Sequence, residues 1–168
     1  MDHNPLVSIL MNCYNSSNTI DRAVSSVLKQ TYQNWELIIW DDGSTDDTLK
    51  ILNDKFEDKR IKIFHQKENL GLGASRINAI KKIEGELVSI LDSDDFFHEE
   101  KIYKQVKVFN RDKELAICAT WANYYDENLK LVEKFESSLD ESEIKRRLYL
   151  VNIFPHSSIM YRKDLAIN

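Results

Sequence analysis

The stretch Leu87-Val88-Ser89-Ile90-Leu91 followed by Asp92-Ser93-Asp94-Asp95 is an apolar run of strand length that stops on an acidic turn. Working outward, the same plan recurs on its N-terminal side. Residues 6–11 read as a first strand, bounded by Pro5 and by the polar Asn12, Tyr14, Asn15, Ser16 and Ser17. A helix comes next with Ile20, Ala23, Val24, Val27 and Leu28 on one face, Asn18 as its expected N-cap and Asp21 in its first turn. Residues 36–40 form a second strand that ends at Asp41-Asp42-Gly43-Ser44. The next helix turns Leu49, Leu52 and Phe56 inward, with Ser44 and Asp47 placed as a capping box. Residues 61–64 read as a third strand. Asn69, Gly71 and Gly73 then lead to a helix whose expected apolar line is Ala74, Ile77, Ile80 and Ile83.

On the C-terminal side, Ile102, Val106 and Phe109 mark a helix and residues 115–121 a strand. The rhythm then changes. Residues 124–135 read as a hairpin turning near Asp126, Glu127 and Asn128, residues 140–150 as an amphipathic helix and residues 157–161 as another strand. Short strands alternating with helices predict an α/β fold, a three-layer α/β/α sandwich around a mostly parallel central sheet. Without an internal repeat or a Pro/Gly-rich linker, residues 1–168 read as a single domain. The sequence stops at Asn168 just as a helix begins, an expectation that it is cut short at its C-terminal end.

Composition narrows the function. The chain has 168 residues, 42% of them hydrophobic and 30% charged, enough for one real core. Its formal charge of -5 repels a phosphate backbone, so nucleic acid is not expected as a partner. No apolar run reaches the roughly 20 residues of a membrane-spanning helix, and residues 1–5 are too polar for a secretion signal; a cytoplasmic protein is expected. Cys13 and Cys118 stand alone, without zinc-ligand spacing, and read as buried thiols. Trp35, Trp40 and Trp121 read as core or sheet-edge residues, and His65, His98 and His156 as ordinary polar histidines, with His156 able to line an acceptor side.

Ligands of open α/β sheets bind at the carboxyl ends of the strands. Reading only those ends collects Asn12, Tyr14 and Asn15, then Asp41 and Asp42, then His65 and Asn69, then Asp92, Asp94 and Asp95. Aspartates converging on one rim repel each other unless a cation or hydrogen-bond donors offset the charge, and carboxylate oxygens suit Mg2+ or Mn2+. Mg2+ characteristically combines one or two carboxylates with substrate phosphates, so the expected ligand carries phosphate.

Four motifs, in order, carry a resemblance: Val7-Ser8-Ile9-Leu10-Met11-Asn12-Cys13-Tyr14-Asn15; Gln30-Thr31-Tyr32-Gln33-Asn34-Trp35-Glu36-Leu37-Ile38-Ile39 with Asp41-Asp42-Gly43-Ser44-Thr45-Asp46; Asn69-Leu70-Gly71-Leu72-Gly73; and Leu91-Asp92-Ser93-Asp94-Asp95. The chain resembles the family 2 glycosyltransferases of the GT-A fold over its first two-thirds. The resemblance implies transfer of a sugar, with inversion, from a nucleotide-diphosphate donor, a UDP-sugar first, to a saccharide or lipid-linked acceptor. It implies Mn2+ or Mg2+ as cofactor and a setting in surface polysaccharide synthesis, with peripheral membrane association open. It places Tyr14 under the base, Asn12 and Asn15 in the same wall, Asp42 as acceptor of a base N–H and Arg76 near the nucleotide. Asp92 and Ser93 fall at the ribose or metal shell, and Asp94, with Asp92, at the metal. The family's general base lies after the strand that residues 157–161 resemble, beyond Asn168. Two rivals remain: a nucleotide-sugar-binding module without turnover, and a nucleotidyltransferase, which lacks here a basic Gly-rich loop near the first strand.

Overall fold

A computed structural model describes residues 3–137, 140–148 and 152–166. Its strands are β1 (Val7–Cys13), β2 (Trp35–Asp41), β3 (Ile61–His65), β4 (Leu87–Ile90), β5 (Ile117–Ala119), β6 (Ala122–Tyr125), β7 (Leu131–Phe135) and β8 (Ile159–Arg162). Its helices are α1 (Ile20–Leu28), α2 (Thr48–Lys55), α3 (Leu72–Ile80), α4 (Lys101–Arg111), α5 (Glu141–Leu148) and α6 (Lys163–Ala166). The main sheet runs β3-β2-β1-β4-β8-β5, and β6 and β7 form a separate hairpin. β1 pairs in parallel with β2 on one side and β4 on the other, and β2 in parallel with β3. β8 enters antiparallel between β4 and β5.

Period-two alternation along the strands builds a core on each face. Ile9, Met11, Leu37, Ile39 and Leu87 pack with Ile20, Val24 and Val27 of α1, Leu52 of α2 and Ile102, Val106 and Phe109 of α4. Leu10, Ile38 and Val88 meet Ala79 of α3 and Ile83 just beyond it. Strands covered on both sides need apolar residues at nearly every position, which is why these runs are continuous. Each fully buried aliphatic side chain contributes about 1.5–3 kcal/mol. The sandwich expected from the sequence is the fold found.

Several local expectations are corrected. Helix α1 begins at Ile20, after a Thr19 that makes no side-chain cap bond. Its first turn is closed by the Ser16 carbonyl, which accepts from Thr19 and Ile20 N–H at 3.0 and 2.9 Å, so Asn18 is not the cap. Ser44 does not cap α2 either: its hydroxyl donates to Asp41, and the helix starts at Thr48. There Asp46 Oδ1 accepts from Thr48 N–H at 3.0 Å and Thr48 Oγ1 at 2.5 Å. Ile77 is 60% exposed because α3 buries the small residues Ser75 and Ala79 against the sheet, which lets the helix axis lie close. Trp121 is 64% exposed, not core, at the point where the chain leaves β5 for the hairpin. The hairpin and the helix after it are present; residues 149–150, also expected to be helical, lie outside the described residues.

Candidate active site

The strand order reverses between β1 and β4, and the loops leaving those two strands frame the crevice in which open sheets bind ligands. The Ser16 and Ser93 hydroxyls join them at 2.8 Å. The β1 loop is equally tied to the β2 loop. Asn15 N–H donates to Ser44 Oγ at 2.9 Å, Asn15 Oδ1 accepts from Thr45 N–H at 2.8 Å, and Ser16 N–H donates to Thr48 Oγ1 at 2.7 Å. Ser16 thus links the segments carrying Asp42 and Asp94. Asn15 reaches this position with φ of 49°, a left-handed conformation that asparagine tolerates better than most residues. Its side-chain carbonyl is committed to the loop next to it.

The Asp41–Asp42 turn is closed on itself. Asp41 is fully buried and receives the Ser44 hydroxyl, His65 Nδ1 at 2.7 Å and the Cys13 thiol at 3.7 Å. Burial first, and the Asp41 charge second, drive the Cys13 thiol far above its ordinary range, which leaves it inert. Asp42 is 4% exposed, and its Oδ1 accepts from Leu70 N–H at 3.0 Å and from the Gln66 amide. Gly43 is required here: its φ is +74°, and a Cβ would stand 2.9 Å from the Glu68 carbonyl carbon. The five aspartates therefore do not share one cation; Asp41 is satisfied by hydrogen-bond donors alone.

The Asp92–Asp95 loop is open. The Asp92 carboxylate lies 3.1 Å, by both oxygens, from His156 Nδ1, and its Oδ1 is 3.6 Å from Arg76 Nη2. His156 Nδ1 also stands 3.3 Å from Arg76 Nη2, so it faces a donor and an acceptor at once. We assign its proton to Nδ1, because the bond to a carboxylate is the stronger of the two. Asp92 N–H donates to Ser157 Oγ at 3.0 Å, and that hydroxyl donates to Asp95 Oδ2 at 2.5 Å. Desolvation of the carboxyl end, then the charges of Asp94 and Asp92, raise the Asp95 pKa, although the residue as a whole keeps solvent-facing surface. Asp94 is exposed, and its carbonyl accepts from Arg22 Nη2 at 3.0 Å.

Among the described residues no three His, Cys, Asp or Glu side chains form a metal cage. Asp92 and Asp94 offer carboxylates that fit a hard divalent cation only together with phosphate oxygens, the habit of Mg2+ and of Mn2+ sites like it. Nearby, Asn12 Nδ2 is buried without a hydrogen-bond partner, a donor still available at the end of β1. Tyr14 keeps 48% of its surface open, so its ring is not a packing residue.

The structure therefore brings Arg76, Asp92, Ser93 and Asp94 together around the β4 loop, with Asn12 at the end of β1 and Tyr14 and Asn15 on the loop that follows it. Asp42 stands further along the same edge. Sequence reading missed the part of the 3-10 turn His156–Ser158, which delivers His156 and Ser157 to the acid loop. In the sequence alone His156 can line an acceptor side and the strand begins at residue 157; that His156 instead meets Asp92 depends on β8 pairing with β4. Also missed was a hollow of about 830 Å3 beside the loop, lined by Asp94, Asp95, Phe96, Trp121, Tyr125 and Ser157 among others.

Comparison with known proteins identifies the fold and the family. The signature of the family described as Glycosyl transferase family 2 matches residues 8–168. The Escherichia coli UDP-Glc:alpha-D-GlcNAc-diphosphoundecaprenol beta-1,3-glucosyltransferase WfgD is 39% identical over 132 residues, covering 77% of this chain and 50% of that protein. Staphylococcus aureus TarS 1-349 in complex with UDP-GlcNAc superposes with a TM-score of 0.71 at 24% identity, over 95% of this chain and 46% of that one. The Pyrobaculum calidifontis mannosyltransferase PcManGT, solved with GDP-Man and Mn2+, gives a TM-score of 0.71 at 17% identity, over 97% and 46%. At these identities the two solved structures speak for the fold. The chain spans between 41% and 50% of the length of the first curated relatives it matches. With the signature running almost end to end over the same strand-end motifs, the chain belongs to glycosyl transferase family 2.

Proposed function

We propose that this chain forms the donor-binding part of a glycosyltransferase that moves a sugar from a UDP-sugar to an acceptor hydroxyl with inversion. The observation that carries the reading is the meeting of Asp92 with Arg76 and His156 at the β1/β4 switch point, with Asp94 exposed beside them. In this reading the uracil stacks on Tyr14, Asn12 donates its unpartnered amide, and Asp42 accepts a base N–H on the carboxylate oxygen not serving the 66–70 segment. Arg76 brings positive charge to the diphosphate, which otherwise meets an acidic rim, and His156 holds Asp92 in place beside it. Asp92 and Asp94 are the residues that would hold Mn2+ or Mg2+, which would supply Lewis-acid stabilisation of the departing diphosphate. The acceptor oxygen attacks the anomeric carbon, the bond to the diphosphate breaks, UDP leaves, and the acceptor proton passes to a general base.

The relatives named for diphosphoundecaprenol acceptors support a lipid-linked acceptor, and with it a reaction at the surface of a membrane. Among the described residues no helix is long and apolar enough to cross one. Calorimetric titration of UDP with and without Mn2+ tests the reading. Mn2+-dependent binding that is strongly weakened in Asp94→Ala is expected, and UDP binding indifferent to both would overturn it.

A further inference from the structure

The hollow beside the acid loop shares Asp94 with the donor site described above, and the rest of its lining takes no part in that site. At about 830 Å3 it falls in the range of small-molecule sites. Asp94 and Asp95 stand at one lip, and the base of the hairpin forms the facing wall. Phe96 and Tyr125 form a tilted pair with ring centroids 5.5 Å apart, and the Arg22 guanidinium lies 5.1 Å from the Phe96 ring, so these groups are committed to each other. Trp121 differs. Its indole N–H donates to the Ser137 carbonyl at 3.2 Å, which fixes the polar edge of the ring, and the residue stays 64% exposed. What it presents to the hollow is apolar surface, and Tyr124 beside it is 46% exposed.

We propose that this hollow is the subsite for the acceptor's sugar, with a pyranose ring stacked on Trp121 and its hydroxyls turned to Asp94, Asp95 and Asn123. The inference rests on the glycosyltransferase reading and adds to it the residues that select the acceptor. A sugar ring has an apolar C–H face and a polar rim, and it matches a lining in which aromatic rings alternate with carboxylates and amides. A lipid tail does not match, because burying those charged groups against hydrocarbon is unfavourable. Continuity through Asp94 places a bound hydroxyl beside the donor.

The test uses a synthetic N-acetylglucosaminyl diphosphate with a short alkyl tail, the same alkyl diphosphate without sugar, and UDP. Binding is measured by calorimetry and by the NMR signal of the Trp121 indole N–H, assigned with Trp121→Phe. The sugar-bearing probe should shift that signal. Trp121→Ala should weaken the probe's binding at least tenfold and leave UDP affinity and the melting temperature unchanged, and Trp121→Phe should keep most of the affinity. Absent binding of the sugar probe, equal binding of the sugarless one, or affinity unaltered in Trp121→Ala would each overturn the subsite. Loss of UDP binding in the unmodified chain would strike the donor reading instead, and the indole signal reports the sugar independently of it.

Discussion

Two acidic turns end parallel strands of one sheet, and they behave in opposite ways. After β2, Asp41 and Asp42 are buried and answered by His65, Ser44, Gln66 and the Leu70 amide. After β4, Asp94 is exposed and Asp92 is held only from the side by Arg76, His156 and the 3-10 turn. The difference comes from the segment that packs on each turn. The β3 loop folds back over Gly43 and closes the first, whereas the 3-10 turn before β8 touches the second and leaves it open. An acid at a strand end is thus enclosed, as Asp41 is, or left open, as Asp94 is, according to its partners, not its type.

Substitutions can break or sharpen this contrast. The largest effect is expected from Asp41→Ala, which strips a buried carboxylate from its donors. It should lower unfolding free energy by about 3–5 kcal/mol in urea titrations, and a loss under about 1 kcal/mol would erase the distinction between the turns. Asp94→Ala should do the reverse, leaving stability within about 0.5 kcal/mol while Mn2+-dependent UDP affinity drops about a hundredfold, or about 2.7 kcal/mol, by calorimetry. Tyr14→Ala should cost about 1–3 kcal/mol of UDP binding, the worth of stacking on a base, with little change in metal dependence.

The smallest expected effect lies behind the open turn. Lys101 of α4 is buried, with its Nζ 3.0 Å from Ser89 Oγ, 2.7 Å from Gln105 Oε1 and 4.2 Å from the Phe97 ring centre. Gln105 in turn donates to the Ser158 carbonyl at 2.9 Å, at the end of the turn that carries His156. Desolvation lowers the Lys101 pKa to about 7, against 10.5 when unfolded. Between those values the unfolded chain holds the extra proton, so stability should rise with pH above 7, by up to about 1.4 kcal/mol per unit. Denaturation at pH 7, 8 and 9 should show that slope, and Lys101→Met should flatten it.

The parallel strands and their order of appearance were legible because two-sided burial writes continuous apolar runs between turn residues. Tyr14, Asp92 and Asp94 could be singled out because strand ends are where a parallel sheet collects chemistry, whereas Arg76, inside α3, was pointed to only by the family resemblance. What stayed hidden depended on partners distant in sequence. Nothing local distinguishes Asp41 from Asp94, marks Trp121 as a surface ring, or tells Ser44 to bond Asp41 in preference to capping a helix. Ile77 fits a helical stripe as well as Ala79 does; only the close approach of α3 to the sheet selects the smaller residue.

The antiparallel insertion of β8 against β4 also bears on how the chain is made. His156 and Asp92 meet although they stand 64 positions apart, so on the ribosome β4 emerges long before its neighbour. Until then its outer edge is bare hydrogen-bonding backbone, a template for self-association. The late arrival of β8 both finishes the rim of the site and shields the nascent protein from aggregation.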